Sequence, residues 1–180
     1  MLYALAMTSL AFWKAVVSDK SNFLERSLAL IEDAGLPYCV IGGVAVNAYA
    51  EPVVTQDLDI VLAVEDLDRA RRLFEAEFQV QDFEHSLNIY DPGSRLQLQI
   101  QKDPVLADVL SRAERREVMD LLVPVAAPDD LLRLKGVAAS DPTRRPSKRQ
   151  KDLADIARLL EAFPDLEPLV PAAIKEKLVH

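Results

Sequence analysis

The chain has 180 residues, half of them apolar, a formal net charge of −8 at pH 7 and a single cysteine. The length and apolar share suit one domain with its own core, and no run reaches the eighteen uncharged apolar residues that cross a bilayer, so no membrane association is expected. The acidic balance excludes wide, non-specific nucleic-acid binding, and a lone Cys39 excludes an internal disulfide and points to a reducing, cytoplasmic setting.

In chain order, MLYALAMTSLAFW is apolar, but no basic residue precedes it, and Trp13-Lys14 stands where a signal peptide needs small residues. A helix is therefore expected there. SNFLERSLALIEDAG places Leu24, Leu28 and Ile31 at helical spacing and stops at Gly35; the short apolar YCVI that follows reads as a strand. GVAVNAYA reads as a short helix leaving the Gly42-Gly43 turn, and LDIVLAV (58–64) as a buried strand. Leu67, Ala70, Leu73 and Phe74 then share one helical face. SLNIYD and RLQLQIQ form an expected hairpin joined by DPGS, the second strand alternating Leu96, Leu98 and Ile100 with Gln97, Gln99 and Gln101. A helix near 104–117 and a short strand LLVPVA lead to helices in APDDLLRLKGVAA and SKRQKDLADIARLLEAF, with a weaker helix near 166–178. No repeat or low-complexity linker divides the chain. The expected architecture is α/β in the broad sense (α+β): a mixed β-sheet flanked by helices over about residues 20–125 and a helical C-terminal part over about 126–180, in one domain.

Asp57 and Asp59 open the strand at 58–64. Residues i and i+2 of a strand share a face, so both carboxylates point one way while Leu58 and Ile60 point into the core. Like charges this close repel, and two hard oxygen donors suit a divalent ion such as Mg²⁺, completed by substrate phosphates. Gly42 and Gly43, without Cβ atoms, let backbone N–H groups approach an anion. The structural alternative makes Asp57 a turn cap, Asp59 a solvent-facing strand residue and Gly-Gly a tight turn.

Helical phasing exposes two inward charges. Lys135 falls between Leu131 and Leu132 and next to Ala139; Asp152 falls between Ile156 and Leu159, within the arc of Leu153, Ala157 and Leu160. They either pair with each other as a structural ion pair or serve an anionic ligand and a site. Between them lies the densest basic run, with Arg144, Arg145, Lys148, Arg149 and Lys151. Ser147 and Gln150 fit a capping box that starts the last long helix. Cations there oppose the helix dipole, a conflict that a bound triphosphate or RNA backbone relieves; the alternative is a solvated loop with Lys148 paired to Asp152 at i,i+4. His85 and His180 lie too far along the chain from these motifs to suggest a metal site.

IGGVAVNAYAEPVVTQDLDI resembles the signature of the nucleotidyltransferase superfamily of DNA polymerase β type: hydrophobic-Gly-Gly/Ser, a spacer, then Asp-hydrophobic-Asp/Glu-hydrophobic, matched at Gly42, Gly43, Asp57 and Asp59. DLLRLKGVAA and RRPSKRQKDLADIARLL are similar to the C-terminal motifs of the AbiEii-like nucleotidyltransferases of abortive-infection and toxin–antitoxin systems, matched at Lys135 and Asp152. The resemblance runs from about residue 38 to 161. It implies the nucleotidyltransferase fold, Mg²⁺ or Mn²⁺ on Asp57 and Asp59, and Asp152 completing the active site. A nucleoside triphosphate would lie against Gly42, Gly43 and Lys135, joined by Lys148 and Arg149 of the basic run. The implied reaction is nucleotide transfer to an RNA (tRNA included), protein or small-molecule acceptor, with a cognate toxin or antitoxin as partner. One departure stands out: the superfamily carries a third acid on a later strand, and here Gln97 or Gln99 takes its place. That departure favours a second reading, a degenerate module that keeps the fold and binds a nucleotide or a partner protein without turnover.

Overall fold

The computed structural model describes residues 9–178. Residues 1–8, which hold most of the apolar N-terminal stretch, and 179–180, which include His180, lie outside the described residues. In order the chain forms α1 (Leu10–Val16), α2 (Phe23–Asp33), β1 (Tyr38–Ile41), α3 (Gly42–Val46), β2 (Asp57–Leu62), α4 (Leu67–Glu75), β3 (Gln79–Asp82), β4 (Ser86–Tyr90), β5 (Gln97–Gln101), α5 (Ala107–Ser111), β6 (Glu114–Val118), β7 (Leu121–Val125), α6 (Pro128–Ser140), α7 (Pro146–Ala162) and α8 (Ala172–Leu178). No described helix is long and apolar enough to cross a membrane.

The strands form one mixed sheet in the order β3-β4-β5-β2-β1-β7-β6. β2–β5 and β1–β7 run parallel and the other pairs antiparallel. Strand composition follows position. Central β1 is buried throughout, as a strand covered on both faces must be, whereas β5 buries Leu98 and Ile100 and leaves its glutamines half-buried. β2 buries Leu58, Ile60 and Leu62 on one face, so Asp57 and Asp59 share the opposite face at its start, where Val61 further along is buried too. α6 and α7 pack against each other, and both pack against the short helix α3. The C-terminal helices are thereby braced beside the turn that leads out of β1.

Three elements depart from the sequence-based expectation. The helix expected near 104–117 ends at Ser111, and Glu114–Val118 is instead an edge strand, hairpinned to β7. Met119 and Asp120 make the turn with φ of 51° and 59°, the left-handed pair a two-residue primed hairpin requires. ERREV carries no apolar alternation, so only its pairing with β7 makes it a strand. β3 is likewise an unanticipated edge strand, its residues exposed except half-buried Val80. α7 begins at Pro146 rather than at a Ser147 cap: Arg145 is the N-cap, no side chain caps the helix, and proline's fixed φ organises the first turn.

Cys39 lies buried in β1. Burial, aided by the charge of Asp130, pushes its thiol up to about 12. The folded protein is therefore expected to resist iodoacetamide at pH 8, with alkylation at the rate of an ordinary thiol only in denaturant; mass spectrometry of the two samples measures the difference.

Candidate active site

The site is built around the step from β1 to α3. Gly42 adopts φ +71°, and a Cβ placed there would run into the Asp59 carboxylate, with Cγ 3.0 Å away. Backbone conformation and available space therefore both demand glycine. The antiparallel register pairs Ile41 with Asp59, which sets this turn beside the second carboxylate. Gly43 is different: it is buried, and an added Cβ would meet Thr55 Oγ1 at 3.6 Å and Lys151 Nζ at 3.7 Å, ordinary contacts.

A cleft of about 660 Å³ opens between this end of the sheet and α6–α7, and Gly42, Asp57, Asp59, Lys135, Lys148 and Asp152 line it together. Gly43 and Arg149 are not among its walls. From the basic run the cleft takes Arg144 and Arg145 as well as Lys148. His85, distant from the motifs in sequence, also stands on its wall. Sheet pairing brings it there: Ser86 is opposite Gln101, and Lys102 N donates to His85 O at 3.0 Å.

The two carboxylates have different surroundings. Asp57 Oδ2 lies 3.0 Å from Lys148 Nζ. Asp59 Oδ1 accepts from Gln101 Nε2 at 3.3 Å. Burial holds the Asp59 carboxyl above the ordinary range, and the Asp57 charge adds to this, while Lys135, the Gln101 bond and Lys148 pull it back. In the parallel β2–β5 register Gln97 lies beside Asp57 and Gln99 beside Asp59. Gln99 and Gln101 line the cleft, so the neighbour that bonds Asp59 is one strand repeat beyond the pair named from sequence. The alternation of Gln97, Gln99 and Gln101 carried the signal that all three share a face.

A charge network, buried at Lys135, Asp152 and Asp155, forms the helical wall of the cleft. Lys135 Nζ is 3.1 Å from Asp152 Oδ1 and 2.6 Å from Asp155 Oδ2. Asp152 Oδ2 takes Arg144 Nε at 2.6 Å, and Asp155 Oδ1 takes Arg158 Nη1 at 2.8 Å. Arg158 Nη2 donates to Asn47 Oδ1 at 2.7 Å, which ties α7 to the loop after α3. The Lys135–Asp152 pair weighed from sequence is present, and Asp155 joins it. Spacing could have found Asp155, since i+3 on a helix keeps it on the face of Asp152. Asp152 is bonded by Lys135 and Arg144, and Lys148 does not make the i,i+4 pair but crosses to Asp57. Lys151 donates to Thr55 Oγ1 at 3.1 Å.

Among the described residues, no three His, Cys, Asp or Glu side chains are grouped to hold a metal ion. The pair Asp57 and Asp59 nonetheless fits Mg²⁺ or Mn²⁺, because such ions take one or two protein carboxylates plus phosphate oxygens. The Lys148 ammonium on Asp57 and the space that a Cβ at Gly42 would fill are consistent with that fit.

Among proteins of known structure, the chain has the nucleotidyltransferase fold. It superposes on the antibiotic-resistance factor ANT(2'')-Ia in complex with adenylyl-2''-tobramycin with a TM-score of 0.64 and 14% identity, over 87% of this chain and 97% of that one. It matches the lincomycin-bound lincosamide antibiotic adenylyltransferase LnuA with a TM-score of 0.54 and 12% identity, over 79% and 99% of the two chains. For the Megavirus polyadenylate synthase the TM-score is 0.53 and the identity 17%, over 89% of this chain and 34% of that one. No family model matches the chain, and no curated protein matches its sequence.

Two outcomes follow. Gly42→Ala is expected to cost about 1–3 kcal/mol in urea denaturation, the scale of a strained left-handed residue. A carboxyl raised above its unfolded value contributes stability below the unfolded value that is lost as pH rises through the folded one. Metal-free Asp59→Asn is accordingly expected to melt higher than wild type at pH 7, the gap closing below about pH 4, by calorimetry.

Proposed function

We propose that this chain is a metal-dependent nucleotidyltransferase, moving a nucleotide from a nucleoside triphosphate to an acceptor hydroxyl. The observation that carries this reading is convergence: Gly42 of α3, Asp57 and Asp59 of β2, Lys135 of α6, and Lys148 and Asp152 of α7 border one cleft. Its volume of about 660 Å³ suits a nucleotide.

Asp57 and Asp59 would hold Mg²⁺ or Mn²⁺, which when bound neutralises phosphate charge. Gly42 leaves the backbone open beside them. Lys148, Arg144 and Arg145 offer cations to the triphosphate. Transfer then depends on positioning and on fixed positive charge as negative charge shifts toward the leaving pyrophosphate. Asp152, held by Lys135 and Arg144, would orient or deprotonate the acceptor. Gln99 and Gln101 cannot ionise, which leaves the acceptor's proton to Asp152, Asp59 or solvent.

An antibiotic-resistance factor and a polyadenylate synthase among the structural neighbours support small-molecule and RNA acceptors alike; a protein hydroxyl is the third class. Lys135 and Asp152 both line the cleft, as the resemblance to the AbiEii-like enzymes implies, and that resemblance carries with it a toxin–antitoxin role with a cognate partner protein. The second reading, a nucleotide-binding module without turnover, draws on the glutamines where a third acid is expected.

Incubation with radiolabelled nucleoside triphosphates, Mg²⁺ or Mn²⁺, and RNA, protein or small-molecule pools is expected to give labelled product with wild type. Asp59→Asn should lose this by ~10²-fold or more, the scale of removing one charge-stabilising group. Wild type that binds nucleotide and transfers nothing would establish the module instead.

A further inference from the structure

We propose that Lys148 is a latch on the carboxylate pair: it holds Asp57 until a nucleotide's phosphates draw it away, so that nucleotide and divalent ion bind as a coupled pair. The inference rests on the nucleotidyltransferase reading and adds an order of events to it.

The Lys148 ammonium sits 3.0 Å from Asp57 Oδ2, on the carboxylate that would hold the divalent ion. A dication and an ammonium cannot share one carboxylate at contact distance without strong repulsion. Metal arriving alone must therefore displace Lys148 and leave its charge unpaired beside a dication. Asp152, the acid a helical turn away on the same face, already accepts from Lys135 and twice from Arg144, so it offers the displaced lysine only a share of a carboxylate neutralised by other cations.

A triphosphate changes this balance. Lys148 lies in the first turns of α7, where the helix dipole disfavours a cation and favours an anion. Arg144 and Arg145 line the same cleft and add positive charge beside it. Phosphates drawn to this corner offer Lys148 a second partner, and its four-carbon stem lets the ammonium swing between the two. The exchange is cheap: the Lys148 and Asp57 side chains are 39% and 26% exposed, and an ion pair this open contributes little to stability. The Asp57 carboxylate is then free of the competing cation. Asp59 needs no such release, since its hydrogen-bonding neighbour Gln101 is a neutral amide. By linkage, whatever the nucleotide adds to metal affinity the metal adds to nucleotide affinity.

The test is Mn²⁺ titration of the full chain, by calorimetry and electron paramagnetic resonance, with and without the non-transferable analogue α,β-methylene-ATP. Lys148→Met is expected to bind Mn²⁺ alone about fivefold more tightly than wild type, the scale of one exposed ion pair. The increase in Mn²⁺ affinity that the analogue produces in wild type should shrink towards unity in the variant. Lys175→Met, which removes the same charge from α8 outside the cleft, should behave as wild type. Asp57→Asn should lose the site. If Lys148→Met binds Mn²⁺ no better than wild type, or keeps the full enhancement by the analogue, the latch is wrong while the nucleotidyltransferase reading stands. If wild type binds no Mn²⁺ in either condition, both fall.

Discussion

The cleft depends on one buried ammonium. Lys135 projects from α6 into an apolar seam and meets Asp152 and Asp155 of α7, and those acids in turn take Arg144 and Arg158. Lys135, Asp152 or Asp155 left unpaired in the interior would cost several kcal/mol. The set is therefore mutually obligatory, and it leaves α6 and α7 little freedom to slide past one another. Through Arg158 and Asn47 the same network reaches the loop that delivers Asp57 to β2. A constraint with no chemistry of its own thus sets the distance between the acidic and basic walls of the cleft.

Those walls are opposite in sign. β2 supplies Asp57 and Asp59, and the start of α7 supplies Arg144, Arg145 and Lys148. In a chain with a net charge of −8, cations gathered at a helix start, against the dipole, are a local expense met by anions across the gap. Asp57, 3.0 Å from Lys148 Nζ, is one such anion. Burial of Asp59 works in the same direction, since a carboxyl held above its ordinary range gains from a nearby cation.

β5 separates this cleft from the pattern its fold leads one to expect. The parallel register sets Gln97 and Gln99 beside the two aspartates, and Gln101 turns back to bond Asp59. Amides there can hold a carboxylate in place and hydrogen-bond a ligand without adding charge. With amides on β5, that strand adds no negative charge beside Asp57 and Asp59, and Lys148 is the counter-ion of Asp57.

Much of this was legible in the sequence because period encodes face. Alternation put Asp57 and Asp59 on one side of a strand, helical phase turned Lys135 and Asp152 inward, and the Gly-Gly turn marked where the backbone had to open. Composition and spacing likewise identified the β4–β5 hairpin. Period does not say which faces meet. Glu114–Val118 became a strand because β7 offered its edge, His85 reached the cleft because Ser86 pairs with Gln101, and Lys148 found Asp57, 91 residues away, while Asp152 bonded Lys135 and Arg144. Each of those outcomes is a competition between partners settled by geometry and by the cost of leaving a buried charge or a backbone group unpaired, and that competition exists only once the chain has folded.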